Sequence, residues 1–98
     1  MRIVRSSQTY EDIVEIAAWL GAEDEAVALR FFDQYESTLE AISKTPKIGA
    51  PRRSLSGINF RLWFVDGFEM VLILYEDQPE EIRILRVIHS ARDYNRFI

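Results

Sequence analysis

Between Tyr10 and Leu20 the apolar positions Tyr10, Ile13, Val14, Ala17 and Leu20 recur at steps of three and four, with Glu11, Asp12 and Glu15 off that stripe. This is the period of an amphipathic helix. The polar run Ser6 to Thr9 ahead of it supplies N-cap candidates, because a short side-chain oxygen can take a free N–H of the first turn. Gly21 interrupts the stripe, and Glu23, Asp24 and Glu25 then bring the charge that favours a helical N-terminus. A second helix is predicted there, with the stripe Ala28, Phe32, Tyr35, Leu39 and Ile42, ending before Pro46. So short a join makes the two helices antiparallel neighbours.

The period changes on either side of this hairpin. Met1 to Arg5 is short and β-compatible, while Lys44 to Ser56 carries two prolines, a glycine and four cations without periodicity and reads as a connecting loop. From Ile58 onward strict alternation sets in, with Ile58, Phe60, Leu62 and Phe64 against Asn59, Arg61, Trp63 and Val65. Asp66-Gly67 predicts a two-residue type I′ hairpin, Phe68 to Glu76 the return strand, and Asp77 to Glu80 a looser turn. A third strand from Ile82 to Ile88 carries Arg83, Arg86 and His89. Met70 to Tyr75 is apolar on both faces, as expected if the helices cover one side of the sheet and something else shields the other. The order β-α-α-β-β-β defines an α+β fold, an N-terminal strand and helical hairpin packed on a twisted antiparallel sheet, with residues 1–98 expected to form one domain.

Composition removes several chemistries. The chain has no cysteine, which excludes disulfides, thiolate nucleophiles and cysteine-bound zinc. His89 is the single histidine, so no metal site and no cofactor are expected. The longest apolar run is six residues, where a membrane span needs about 20, and no signal-peptide core follows the N-terminus. A cytoplasmic location without membrane contact is expected. The net charge of −4 conceals an asymmetry: Met1 to Ser43 holds nine acids and three arginines, whereas Lys44 to Val65 holds five cations and no acid. One face is thus suited to an acidic partner.

Three features combine into something more specific: the helical hairpin, Pro46-x-x-Gly49, and Arg61-Leu62-Trp63-Phe64 followed by Ile82 to Asp93, IRILRVIHSARD. Together they resemble the RelE/ParE superfamily of bacterial toxins, and within it the ParE branch, with Arg86 to Asp93 the most specific stretch. The resemblance implies the toxin of a type II toxin-antitoxin module, of the kind associated with plasmid stabilisation. It further implies inhibition of DNA gyrase by binding, and neutralisation by a ParD-like antitoxin in a complex of two toxins and two antitoxins. No sequence-specific DNA binding of the toxin's own is expected. The RelE branch instead implies a ribosome-dependent mRNA endonuclease, and an inactive member that binds only its antitoxin is a third possibility.

Metal-free RNA cleavage needs a base, an acid and cations close together. His89, Arg61 and Arg86 are the candidates for it, because an imidazole titrates near neutrality and guanidinium groups can hold a phosphorane. Strand parity opposes this: a regular strand places His89 with Arg83, Leu85 and Val87, and Arg86 with Ile82, Ile84 and Ile88 on the other face. His89 then reads as a structural residue at the strand's end. The acidic net charge is also ill suited to docking on ribosomal RNA. For target binding the candidates are Arg52, Arg53 and Arg61 of the basic segment, with Arg92, Tyr94 and Phe97 of an exposed-looking tail. Edge strands and the acidic helix face invite a disordered, acidic-and-apolar antitoxin segment to wrap the domain.

Overall fold

The computed structural model describes all residues 1–98. Strand β1 (Arg2–Arg5) leads into helices α1 (Ser7–Leu20) and α2 (Glu25–Lys44). Strands β2 (Ala50–Arg53), β3 (Asn59–Val65), β4 (Phe68–Asp77) and β5 (Glu81–His89) follow, and a 3₁₀ turn at Tyr94–Arg96 closes the chain. The fold is α+β in the expected order, with one addition and one change of sense. β2 lies inside the segment read as loop, where Pro51 and the two arginines hid a short edge strand. The sheet, ordered β1-β5-β4-β3-β2, is mixed, because β1 pairs parallel with β5.

Ser6 caps α1 by accepting the Thr9 N–H, and Asp24 caps α2 by accepting the Ala26 N–H. The helices bury Ile13, Ala17, Phe31, Tyr35, Leu39 and Ile42 against Val65, Val71, Ile73, Tyr75, Ile82, Ile84 and Val87 of the sheet. The buried stripe of α1 is turned from the predicted one. Tyr10 (56% exposed) and Val14 (64%) face solvent, while Thr9 and Asp12 are buried. In α2 Phe31, not Phe32, fills the core, stacked on Tyr35 and edge to face with Phe68. Hydropathy alone missed this because the sheet offers Thr9 and Asp12 polar partners that outweigh the burial of Tyr10.

At the β3–β4 turn only Gly67 has positive φ, at 80°, so the loop is not type I′. A register shift at Phe64/Val65 supplies the twist instead. The second face of the sheet carries Phe60, Leu74 and Ile88, and its shield is the chain's own tail: Tyr94, Phe97 and Ile98 lie across it. The tail is therefore not a free end. Tyr94 meets Phe60 edge to face with ring centroids 5.2 Å apart.

One exposed ion pair ties β1 to α2. Arg5 donates to both Glu36 oxygens at 2.6 and 2.9 Å, and this holds the Glu36 carboxyl below the usual carboxylate range. A depressed carboxylate stabilises the fold fully above its ordinary pKa and loses that contribution as pH falls through the depressed value. Glu36 is mostly solvent-exposed, so the pair contributes about 1 kcal/mol or less. Glu36→Gln should remove that much of the stability lost between about pH 6 and pH 3, read from urea midpoints.

Candidate functional site

β1 pairs with β5 only as far as Ile84, so beyond that point β5 has an open edge facing α1. Two side chains of α1 take the place of the missing strand. Thr9 Oγ1 donates to the Ile84 carbonyl at 3.3 Å, and Asp12 Oδ2 accepts the Val87 N–H at 3.1 Å. The same carboxylate, 6% exposed, receives the Arg86 guanidinium in two bonds of 2.8 Å. Those bonds raise the Arg86 pKa above its ordinary value. Phe97 of the tail lies against the guanidinium, 4.7 Å from ring centroid to carbon.

A register shift between Leu74 and Tyr75 gives β5 an extra residue opposite β4. Ile82 and Ile84 thereby share the helix face with Val87, and Arg86 and Ile88 turn to the tail face, which corrects the uniform alternation expected for this strand. His89 returns to the helix side and meets Trp19 edge to face at 5.1 Å. Its Nδ1 accepts the Ala91 N–H at 3.0 Å, which leaves the proton of the neutral ring on Nε2.

The open edge, α1 and the tail together enclose a hollow of about 380 Å³ whose wall includes Asp12, Glu15, Trp19, Arg86, His89, Arg92 and Phe97. Arg86 and His89, rooted on opposite faces, converge here because the hollow lies at the sheet's edge. Arg92 stands 3.9 Å from Glu15. Each cation of the wall thus has a carboxylate beside it.

Arg61 is elsewhere. It reaches from β3 to donate to the Gly49 carbonyl at 2.8 Å, and its Nε lies 3.8 Å from Asp77. Tyr75 completes this clamp, donating to Pro46 O at 2.7 Å and accepting the Gly49 N–H at 2.9 Å. Burial pushes the Tyr75 phenol above its ordinary pKa. Here the P-x-x-G pattern has a physical cause: a Cβ on Gly49 would stand 2.7 Å from the Tyr75 hydroxyl. Gly49→Ala should cost about 1–3 kcal/mol as an overpacking change, seen as a lower denaturation midpoint.

Arg52 and Arg53 lie exposed on β2, bonded to Pro51 O and Asn59 Oδ1 with no carboxylate partner. Tyr94 and Phe97 are packed on the sheet. The structure therefore brings Arg86, His89, Arg92 and Phe97 to one hollow, Arg52 and Arg53 to one edge, and Arg61 to neither. Asp12, which organises the hollow, carries no local signal of that role, because its place among Glu11 and Glu15 reads as solvated surface. No group of three or more acidic, histidine or cysteine side chains is arranged to hold a metal ion, and no helix is long and apolar enough to cross a membrane.

Residues 3–94 match the family described as ParE toxin of type II toxin-antitoxin system, parDE. That span takes in the helical hairpin, the whole sheet and most of the hollow. The chain belongs to this family, and its partner class is accordingly an antitoxin of the same module. No curated protein matches the chain.

Proposed function

We propose that the chain inhibits DNA gyrase by binding it in the cytoplasm, and that a ParD-like antitoxin neutralises it in a complex of two toxins and two antitoxins. Family membership supports the gyrase reading. The observation that carries it is the state of the charged groups in the hollow. Arg86 is held in a bidentate pair with Asp12, Glu15 stands by Arg92, and His89 Nδ1 is occupied by a backbone N–H. The Arg86–Asp12 pair holds α1 to β5, and with Nδ1 occupied a neutral His89 ring has no free lone pair with which to take a proton. Arg52 and Arg53 have no such counter-charge and are suited to a target's acidic surface, with Arg92 beside the tail. For the antitoxin, the exposed Tyr10, Val14 and Leu29 of the helical hairpin offer apolar anchorage.

The convergence of His89, Arg86 and Arg92 favours a second reading, RNA cleavage on the ribosome. Inducing the chain alone in bacteria separates the two. Chromosome breaks with an SOS response, equally strong for His89→Ala, are the expected result; transcript cleavage abolished by His89→Ala would establish the nuclease.

A further inference from the structure

The most exposed large apolar side chain in the protein is Leu55, 89% exposed, at the β2–β3 loop. A lone exposed leucine is ordinary on a surface. The loop that carries this one is not. Ser54 N–H donates to Ile58 O at 2.9 Å, Gly57 N–H to Ser54 O at 3.0 Å, and Ile58 N–H to the buried Ser54 hydroxyl at 3.0 Å. Gly57 takes the positive φ of 92° that closes the turn. Two further bonds come from the tail, some forty residues away. Asn95 Oδ1 accepts the Leu55 N–H at 2.8 Å, and the Ile98 carbonyl accepts from the Ser56 hydroxyl. The loop is thus fixed at both ends and at its tip; of its two large apolar side chains Ile58 is 36% exposed, and Leu55 projects almost wholly into water.

Beside it stand Arg52 and Arg53, in a stretch without any acid from Lys44 to Val65. A rigid aliphatic knob at the end of an edge strand that carries an uncompensated guanidinium on each face, Arg52 and Arg53 being successive strand residues, fits an apolar pocket with a carboxylate rim. Little conformational freedom would be lost on docking, because the loop is already ordered. Beside the knob no aromatic ring is presented for base stacking: Phe60 is buried, and Trp63 and Phe64, farther along β3, are half-buried and stacked on each other. A protein surface is therefore favoured over nucleic acid.

We propose that Leu55 is the apolar anchor by which the toxin engages the protein it inhibits, with Asn95 as the positioning residue that holds the knob out. The inference rests on the reading that the chain acts by binding. It adds a contact residue and assigns the tail an indirect part in recognition.

The test compares Leu55→Asp, Leu55→Ala, Leu55→Met and Asn95→Ala with the parent chain, for growth arrest on induction and for thermal midpoint after purification. Leu55→Asp should abolish arrest, Leu55→Ala should weaken target engagement about tenfold or more, and Leu55→Met should retain most of it. Asn95→Ala should fall between. The three Leu55 midpoints should stay close to the parent's, because the changed atoms are already in water, and Asn95→Ala, which loses one exposed hydrogen bond, should drop by a few degrees at most. Full toxicity of Leu55→Asp would overturn the anchor. So would duplex-DNA binding by the parent chain that Leu55→Asp abolishes, since the occupant would then be nucleic acid. Arrest without DNA breaks would count against gyrase as the target, while loss of that arrest in Leu55→Asp would still support the anchor.

Discussion

Replacing Asp12 with alanine should lower the stability of the chain by about 3–5 kcal/mol, as much as truncating a core side chain. One carboxylate meets four donors: two from Arg86, the Val87 backbone N–H and, at 3.3 Å, the Gln8 side-chain amide. Removing it strands a largely buried guanidinium and an N–H on an edge with no strand to take them. A domain of this size has about 5–15 kcal/mol in total, and each kcal/mol moves its midpoint by about 4–8 °C. A fall of roughly 12 °C or more is expected by calorimetry of the purified chain. Asp12→Asn should fall less, because its amide oxygen can still accept the Val87 N–H. A shift of only a few degrees for Asp12→Ala would mean that β5 does not depend on α1 for its open edge.

The second large effect concerns toxicity and leaves the fold in place. Arg52, Arg53 and Arg92 are exposed, and their contacts are a neighbouring carbonyl, an asparagine side chain and a loose 3.9 Å ion pair. Such contacts contribute about 1 kcal/mol or less each, so the triple reversal to glutamate should keep the midpoint within a few degrees. Against an acidic target the same change replaces attraction with repulsion at three points. Engagement should weaken on the order of a hundredfold or more. Undiminished arrest by the triple variant would remove the basic edge from the binding surface.

The sequence revealed the architecture through its two periods, because helix and strand bury side chains at different spacings. It was less informative wherever a polar group found a partner far along the chain. Asp12 looked solvated because its partners, Arg86 and Val87, lie 74 and 75 residues away. β2 was hidden by Pro51 and the arginine pair, which mark an edge strand but read locally as loop. The tail looked free because nothing local shows that Tyr94, Phe97 and Ile98 cover Phe60, Leu74 and Ile88. Parity kept Arg86 and His89 on opposite faces, and they are so rooted. What parity cannot convey is that a hollow at a sheet's edge is reached from both sides.

The central claim is that this toxin acts by holding a large enzyme and not by breaking bonds itself. Incubating the purified chain with gyrase, ATP and supercoiled plasmid tests it most directly. Linear DNA accumulating with toxin concentration, at the same level for His89→Ala, is the predicted result. Plasmid left uncut while translating ribosomes yield cleaved mRNA, and intact mRNA with His89→Ala, would contradict the account.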